Sequence, residues 1–387
     1  ARVLSELGAN IVKVEYARPP ASSIGPSYFT VRQASKRSIA LNFSTQSGHA
    51  AMLRLIERAD VFVENYLPQV KAQFGLSYTD LKERFPRLVM CSIAGYGQDG
   101  PNGHRPAMGM TMEPAAGVAS VTGYPGEDPL KTGQTWVDPY AGLHGVGATI
   151  AALIHREITG RGQYIDASMQ ELTIPTLGPH LADYLLNGRL HDRHGNRRPG
   201  MVRGTYPCKG DDDWLAISLR NDAEWDAFCR ASGNANWIKD PRFMNATSRY
   251  DHHDALDKLI GTWTQGQSKF ESAALLHNAG LPAAPVLKAD EVLVDPHLAA
   301  RELFELVDVP GIGMTPIQRY FPPKFDGNGF PIRSRDPLFG EHTVEILVEA
   351  GIPELEAITI AREQGLVALP PESWWHPDFF EPRQREF

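Results

Sequence analysis

Apolar segments alternate with helical patterns through the N-terminal part of the chain, and this alternation limits the possible folds more than any other feature. The predicted strands are 11–15, 36–42, 60–65 and 88–93, and the predicted helices are 2–7, 46–58 and 78–85. Strands that alternate with helices indicate βαβ units and a mostly parallel sheet. Right-handed crossovers then bring loops 16–30, 65–75 and 94–110 to the carboxyl edge of that sheet, where open α/β sheets bind ligands.

A glycine-bearing loop follows the last of these strands. Its Gly95, Gly97 and Gly100 suit either close approach of the backbone to a ligand or plain tight turns, and both interpretations stay open. The loop does not have the spacing of a dinucleotide-binding fingerprint. No phosphate-binding loop ending in Gly-Lys-Ser/Thr occurs in the chain either.

A helix rich in small residues is predicted from about 139 to 157. Asp138 and Pro139 stand at its start, where Asp suits the N-cap and Pro the first helical position. Asp138 is therefore either a capping carboxylate or a carboxylate presented to a substrate, where it could act as a covalent nucleophile. The many glycines and alanines predict a closely packed neighbour, which could be another helix, a partner subunit or a ligand.

The pattern changes after residue 171. A helix is predicted over 172–187, and the basic, glycine-bearing loop 188–204 is either solvated or closes over an anionic ligand. The elements predicted beyond it are a hairpin of 205–208 and 214–218, helices at 222–232, 248–261 and 267–279, and an extended segment at 282–286. Together they predict a second, smaller α+β unit over 200–305.

The C-terminal part is predicted to return to the first domain. Segment 306–335 is rich in proline and glycine, which favours a linker, and a helix follows at 343–350. The aromatic pair Trp374–Trp375 near the end predicts a tail that docks on a surface, because exposed tryptophan pairs are uncommon.

Composition excludes several classes of function. The formal net charge of −8 argues against a protein held on nucleic acid by phosphate contacts, and no apolar run has the length of a membrane span. Cys91, Cys208 and Cys229 form neither a disulfide framework nor a zinc pattern, which suits a reducing cytoplasm. The adjacent His252 and His253 point to different sides of a helix, so we expect a surface pair and no metal site.

Taken in order, a set of short motifs resembles the class III CoA-transferases, the family of formyl-CoA transferase and carnitine CoA-transferase. The motifs are LGANIVKVE at 7–15, KRSIALN at 36–42, ADVFVENYLP at 59–68, PRLVMCSIAGYGQDGP at 86–101, Asp138 with Pro139 and Gly142, TGRGQYIDASMQE at 159–171, GTYPCKGDDDW at 204–214, GLPAAPVLKADEVLVDPHLAAR at 280–301 and GEHT at 340–343. No single motif is specific, but their order and spacing are, and the resemblance extends from Leu4 to about Leu366.

The resemblance implies an α/β fold with two domains and an interlocked homodimer. A Rossmann-like large domain would be built from both chain ends, here 1–190 and 306–387, with the smaller α+β domain at 200–305 between them. Each chain would thread through a ring made by the other, which would give the small-residue helix and the aromatic tail their partners. We also expect that the family's first strand, together with the CoA-contacting loop after it, is missing before residue 1.

Asp138 stands at the position of the family's nucleophile. The implied reaction moves CoA from an acyl-CoA thioester to an acceptor carboxylic acid through an aspartyl-CoA thioester. Each step exchanges activated acyl species of similar energy, so no ATP, metal or tightly bound cofactor is needed, and CoA thioesters are substrates.

The resemblance also implies contacts with CoA. The matching positions are Tyr16, Leu41, Ser44, Asn65, Tyr66, Gln73, Phe74 and Arg105. Tyr66 would stack on the adenine ring, and Arg105 would contact pantetheine or a phosphate. In the alternative interpretation, Leu41 and Phe74 belong to the hydrophobic core and Asn65 to a turn.

Other functions stay open. The family's racemase branch uses a His where this chain has Met108, which favours a transferase over an acyl-CoA racemase or isomerase, although His104 is close in sequence. A non-catalytic CoA-binding homologue is the third hypothesis. The family's closing glycine loop corresponds best to 195–204. A dicarboxylate such as succinate, the CoA phosphates or water would suit the nearby arginines, which are Arg193, Arg197, Arg198 and Arg203.

Overall fold

The structure is a computed structural model that describes residues 1–16, 32–309 and 312–363. The strands are β1 Val12–Tyr16, β2 Arg37–Leu41, β3 Val61–Glu64, β4 Val89–Ala94, β5 Tyr164–Ser168, β6 Val202–Pro207, β7 Trp214–Leu219, β8 Ala283–Pro285, β9 Phe304–Val309 and β10 Gly313–Gln318. The α-helices up to residue 187 are Arg2–Glu6, Gln46–Arg58, Pro68–Gln73, Tyr78–Leu81, Gly109–Ala115, Val118–Val121, Val137–Thr159, Met169–Thr173 and Gly178–Asn187. The later α-helices are Asp222–Ala231, Ala246–Asp251, His253–Gln265, Lys269–Asn278, Ala289–Leu293, Pro296–Ala300, Thr343–Glu349 and Glu354–Glu363, and 3₁₀ turns cover Ile174–Leu177 and Ala235–Lys239.

The chain divides into two units, and the first comprises residues 1–116, 134–176 and 295 onward. Within it, β1 pairs with β2, and β3, β4 and β5 form a second sheet, all with parallel neighbours. Parallel pairing confirms the βαβ pattern predicted for this part of the chain. Val89 and Met90 of β4 are fully buried, as expected for a strand covered on both faces.

The helices of the first unit bury one apolar side each. Helix Gln46–Arg58, which confirms the predicted bounds, begins with Thr45, whose hydroxyl accepts the N–H of Gly48 at 3.1 Å. Its Ala51 and Ile56 are buried against the strands. Full burial of an isoleucine such as Ile56 contributes about 1.5–3 kcal/mol.

The second unit comprises residues 117–133 and 177–294. Its β6, β7 and β8 form an antiparallel sheet, which confirms the predicted hairpin and extended segment. Alternate residues of β7, such as Leu215 and Ile217, are buried against the aromatic cluster of Trp225 and Phe228. The result is one buried face and one open face on this sheet within its unit.

Several predicted elements differ from the structure. The segment predicted as one helix over 172–187 is interrupted by the 3₁₀ turn Ile174–Leu177, because Pro175 and Pro179 each remove a backbone donor and disfavour a helical residue before them. The segment predicted as a linker over 306–335 overlaps the antiparallel hairpin of β9 and β10, which begins at Phe304. Both strands of a two-stranded hairpin are edge strands, and an edge strand tolerates a proline such as Pro316, which has no N–H to donate.

Three further predictions need comment. His253 is not a surface residue: it is buried, and its Nδ1 lies 3.0 Å from Oδ2 of Asp257, while His252 is exposed. Residues 117–133 and 177–190 group with the second unit, whereas the predicted large domain extends over 1–190. The predicted docking tail at Trp374–Trp375 lies outside the described residues.

Within the described ranges, none of the helices combines the length and apolar character that crossing a membrane requires.

Candidate active site

Asp138 lies in the first turn of helix Val137–Thr159, which is called the long helix below. Trp136 is the N-cap and makes no side-chain cap, so the first of the two interpretations left open for Asp138, that of a capping carboxylate, is wrong. Val137 and Ala141 are fully buried and fix the start of the long helix in the core, whereas Asp138 is exposed. The side chain therefore lies at the positive end of the helix dipole.

The carboxylate of Asp138 has no hydrogen bond or ion pair with any residue that the structure describes. It lies directly over Gly109, the first residue of helix Gly109–Ala115. A Cβ atom on Gly109 would overlap Oδ2 of Asp138 and would lie 2.7 Å from Cγ and 3.1 Å from Oδ1. Only glycine fits at position 109 while the carboxylate keeps this place. This contact was not predicted, because the two residues are far apart in sequence.

An aromatic pair flanks Asp138 on the long helix. The rings of Trp136 and Tyr140 meet edge to face at 5.5 Å, and Tyr140 continues to His144 at 4.5 Å. The indole Nε1 of Trp136 is buried without a hydrogen-bond partner among the described residues. Buried donors are nearly always paired, so a water or a ligand is the expected partner of this one.

The glycine loop after β4 holds its shape through its own chain. Gly97 and Gly100 have φ angles of 84° and 73°, which only glycine adopts without strain. The N–H of Gln98 donates to both carboxylate oxygens of Asp166, at 3.1 and 3.0 Å. Burial raises the pKa of Asp166, and the Gln98 N–H opposes that rise. These glycines are explained by turns, and a role in ligand binding is an additional proposal.

A buried ion pair, also not predicted, supports the loop after β3. Lys71 Nζ lies 2.8 Å from Oε1 of Glu64 and donates to the hydroxyl of Ser92 at 3.0 Å. The second carboxylate oxygen of Glu64 accepts the N–H of Tyr66 at 2.7 Å. Both charged side chains are almost fully buried. The pair therefore fixes the backbone at the end of β3, where Asn65 and Tyr66 emerge.

The structure brings several of the predicted CoA-contacting residues together at this edge. The ring of Phe43 contacts Tyr66 at 6.5 Å and Phe74 at 4.8 Å, which joins the end of β2 to the loop after β3. Asn65 is exposed and Tyr66 is 37% exposed. Partial burial of the Tyr66 hydroxyl group, together with the nearby Glu64 carboxylate, raises the pKa of Tyr66. Ser44 is exposed directly after Phe43.

The remaining predicted CoA-contacting residues are more scattered. Leu41 is fully buried in the core, as the alternative interpretation expected, so it could reach a ligand only through its backbone. Gln73 is exposed. Arg105 is exposed without a side-chain partner in the described part of the chain. Tyr16 pairs with Leu41 through the backbone of β1 and β2, and its side chain lies outside what the structure describes.

All nine predicted site residues belong to the first unit. Tyr16 and Leu41 are the last residues of their strands, Asp138 lies in the first turn of the long helix, and the other six lie in the segments that follow β2, β3 and β4. No cluster of three or more metal-ligating side chains occurs within the described residues. The candidate site therefore combines the carboxyl ends of parallel strands from two sheets with a supported aromatic loop and with Asp138, whose carboxylate is unpaired within the described residues. This arrangement suits an organic ligand that stacks on Tyr66 and a reaction at Asp138.

A family model described as CoA-transferase family III matches residues 1–343 of the chain. The chain belongs to CoA-transferase family III. This match confirms the family expected from the order of the motifs.

Named relatives and solved structures agree with this family. The chain is 33% identical to an acyl-CoA transferase of Fusarium pseudograminearum, over 95% of this chain and 84% of that protein. It is 31% identical to a formyl-CoA:oxalate CoA-transferase of Escherichia coli O157:H7, over 94% of each chain. A crystal structure of a CAIB/BAIF family protein from Brucella suis superimposes with a TM-score of 0.81 at 30% identity, over 90% of this chain and 94% of that one. These matches support a mixed α/β fold of the CoA-transferase type.

The second unit of this family III protein carries the basic loop. Arg193 donates to the backbone oxygens of Glu127 and Ser120, and Arg197 pairs with the carboxylates of Asp254 and Asp257. These two arginines are thus already engaged in holding the loop.

Two further arginines, Arg198 of the same loop and Arg203 of β6, form no side-chain ion pair or hydrogen bond within the described residues. Both side chains are exposed. Arg203 lines a shallow cleft of about 360 Å³ with Thr205 and Ser218 on the open face of the sheet. Of the four arginines considered for an anionic substrate, Arg198 and Arg203 are therefore the two whose guanidinium groups are available to bind it.

Proposed function

We propose that the protein transfers CoA from an acyl-CoA thioester to an acceptor carboxylic acid, with Asp138 as the covalent nucleophile. One observation carries the proposal: an exposed carboxylate without a hydrogen bond or ion pair in the described structure lies at the start of the long helix, over Gly109. A carboxylate that serves only as a helix cap would accept a backbone N–H. A nucleophilic carboxylate needs an oxygen atom that is not engaged in a hydrogen bond or an ion pair.

The proposed reaction proceeds through two anhydrides. The Asp138 carboxylate attacks the thioester carbonyl, and CoA thiolate leaves, which gives a mixed anhydride. The thiolate attacks the aspartyl carbonyl of the anhydride, so that an aspartyl-CoA thioester forms and the donor carboxylate leaves. The acceptor carboxylate then attacks the aspartyl thioester, and the released thiolate attacks the acceptor carbonyl of the new anhydride. Asp138 returns as a carboxylate, and no net proton is consumed.

Backbone donors are proposed to stabilise the oxyanions of these steps. Such donors would come from the first turn of the long helix and from the glycine loop after β4, because the first N–H groups of a helix have no partner within the helix. The CoA moiety is proposed to lie along the carboxyl ends of the parallel strands, with its adenine on Tyr66 and a phosphate or the pantetheine at Arg105. CoA thioesters are substrates in this scheme, and no tightly bound cofactor takes part.

Intact-protein mass spectrometry tests the proposal. The protein is mixed with a panel of acyl-CoAs in the absence of an acceptor and then treated with hydroxylamine. We expect a CoA-sized adduct that maps to Asp138 and disappears with hydroxylamine. An active protein that transfers CoA but never forms this adduct would contradict the covalent route. The acyl-CoAs that form it identify the donor class.

An acyl-CoA racemase or isomerase is the alternative. Met108 precedes Gly109, the residue against which the Asp138 carboxylate packs. Met108 is 68% exposed, and its side chain has no basic group. His104 is exposed, and its backbone oxygen accepts the amide of Gln69 at 3.2 Å. Exchange of α-deuterium into an acyl-CoA without adduct formation would favour this alternative. A chain with neither activity on any acyl-CoA would be the non-catalytic homologue.

We also propose a homodimer, interlocked as the family resemblance implies. Gly145 of the long helix packs against Ile93 of β4, but a Cβ atom on Gly142 or Gly147 would meet no atom within 4 Å. On the same helix, Leu143 and Ile154 are 53% and 59% exposed. An apolar helix face of this kind usually has a partner. Sedimentation analysis should give a dimer, and Ile154→Asp should weaken it.

The acid class and the compartment are also proposals. Support for a dicarboxylate such as succinate now rests on Arg198 and Arg203, because Arg193 and Arg197 are engaged within their own unit. The donor panel therefore includes succinyl-CoA beside monocarboxylic acyl-CoAs. The three cysteines are buried and unpaired, which suits a reducing cytoplasm.

A further inference from the structure

Gly109 is a glycine that its own backbone does not require. It is the first residue of helix Gly109–Ala115 and is not among the residues with positive φ. Alanine is a better helix former than glycine, by about 1 kcal/mol in a helix interior, so the local structure does not call for glycine here. The reason for glycine at this position must be space.

The Asp138 carboxylate fills that space. The three atoms nearest to a Cβ on Gly109 are Oδ2, Cγ and Oδ1 of Asp138. Carboxylates also lie near Gly97 and Gly210, but those belong to Asp166 and Asp213, which accept hydrogen bonds or form ion pairs. Among the described glycines, Gly109 is the one that lies against a carboxylate with no polar partner in the described structure.

Neither helix can easily move to make room for a side chain at position 109. Met112, one turn after Gly109, is completely buried, and so are Val137 and Ala141 around Asp138. Close-packed cores resist displacement, whereas a side chain can change its rotamer. A methyl group at position 109 would therefore turn the Asp138 carboxyl group away from its present place.

We propose that Gly109 is a positioning residue for the Asp138 carboxylate, an inference that rests on the proposed function. The carboxylate is oriented by shape alone, against a bare backbone. Orientation by a hydrogen bond or an ion pair would stabilise the charged carboxylate and reduce its reactivity. A steric seat fixes the direction of attack and leaves the oxygen lone pairs available.

The test compares Gly109→Ala with a matched control, Gly261→Ala. Gly261 lies inside helix His253–Gln265 of the second unit, and a Cβ there would meet no atom within 4 Å. We expect kcat for CoA transfer to fall about 100-fold in Gly109→Ala, because misplacing a reacting group by about 1 Å costs this much. The KM for acyl-CoA should change by less than about twofold, because the CoA contacts lie elsewhere. Gly261→Ala should keep the parent kcat.

A double-mutant cycle in thermal stability tests the contact itself without any activity assay. Gly109→Ala should lower Tm when Asp138 is present. In the Asp138→Ala background, Gly109→Ala should raise Tm or leave it unchanged, because the clash with the carboxyl group is gone and alanine favours the helix. A purely structural role for Gly109 would give the same change in Tm in both backgrounds.

The two hypotheses fail in different ways. Parent-level kcat in Gly109→Ala, or equal Tm changes in the two backgrounds, would overturn the positioning role and leave Asp138 as a candidate nucleophile. Parent-level transfer by Asp138→Asn would instead overturn the proposed function, and with it the catalytic meaning of the seat, even if the Tm coupling were observed.

Discussion

Glu64 and Asp138 are two carboxylates of one unit in opposite environments. Both oxygens of Glu64 are engaged, one by Lys71 at 2.8 Å and one by the N–H of Tyr66 at 2.7 Å, and its side chain is 1% exposed. Asp138 is exposed, has no polar partner in the described structure and lies over Gly109. Pairing and burial make the first a support for a loop. The absence of both leaves the second free to react, which is the basis of the proposed function.

The largest expected effect comes from removing the free carboxylate. Asp138→Asn should reduce CoA transfer by more than about 10⁴-fold, because loss of a covalent nucleophile removes the whole route. The free energy of unfolding should change by less than about 1 kcal/mol, because the side chain is exposed and makes no polar contact to lose. Steady-state transfer and denaturant unfolding measure the two quantities. A variant that loses transfer only because it unfolds would break the comparison.

Breaking the paired carboxylate should have the reverse signature. Lys71→Met leaves Glu64 buried without its counter-ion, and we expect a loss of about 3–5 kcal/mol in unfolding free energy. The double variant Glu64→Gln/Lys71→Met should recover much of this loss, since no uncompensated charge remains. Denaturant unfolding measures both.

An exposed ion pair provides the control for this experiment. Arg54 and Glu57 lie 3.0 Å apart with side chains 59% and 46% exposed, so Arg54→Met should cost less than about 1 kcal/mol. If Lys71→Met were as mild as Arg54→Met, the loop after β3 would not depend on its buried pair.

The parallel pairing of the N-terminal strands could be predicted because apolar runs alternate there with helices of clear period, but the division of these strands between two sheets was not predicted. Gln46–Arg58 has the predicted bounds, since its apolar spacing and the Thr45 cap agree. The hairpin of β9 and β10 was not predicted because the surrounding segment is rich in proline and glycine, which indicated a linker, and because the alternation of apolar and polar residues in its strands is short. The prediction of a single helix over 172–187 was wrong because it did not take Pro175 into account, a helix-breaking residue that is visible in the sequence.

The site was only partly predictable, for a different reason. Asp138 and Tyr66 were predicted from motifs, which needs no knowledge of contacts, and their roles stay predictions. Gly109 and Lys71 were missed because their roles depend on what they touch, and those partners are on other elements. Local sequence reports the propensity of a residue, but it does not report which atoms occupy the space beside it.

A third carboxylate, Asp336, sharpens the comparison because it is mostly buried yet lacks full pairing. Its Oδ1 is buried without a hydrogen bond among the described residues, and burial raises its pKa from 3.8 to about 6, with Glu15 adding to the rise and Lys13 and Lys36 opposing it. The folded state therefore binds a proton more tightly than the unfolded state, so this group's contribution to stability is lost as pH rises from about 4 to 6.

Asp336→Asn should remove that loss. The variant and the parent should be similar in stability near pH 4, and the variant should be more stable above pH 6, by at most about 3 kcal/mol. Denaturant unfolding of both proteins across this range isolates the contribution of one group. A stability difference that stayed constant with pH would mean that Asp336 titrates normally and that its surroundings are better solvated than the buried oxygen indicates.

The smallest effect is expected at Tyr66, the residue whose backbone Glu64 holds. If the adenine of CoA stacks on its ring, Tyr66→Leu should raise the KM for acyl-CoA about tenfold, since stacking of a base on an aromatic side chain contributes about 1–3 kcal/mol. The kcat should be unchanged, because adenine is remote from the reacting carbonyl. Tyr66→Phe keeps the ring and should stay within about twofold of the parent. If Phe and Leu raised KM equally, the hydroxyl group rather than the ring would contact CoA, and if neither did, the paired carboxylate would support a loop with no part in binding.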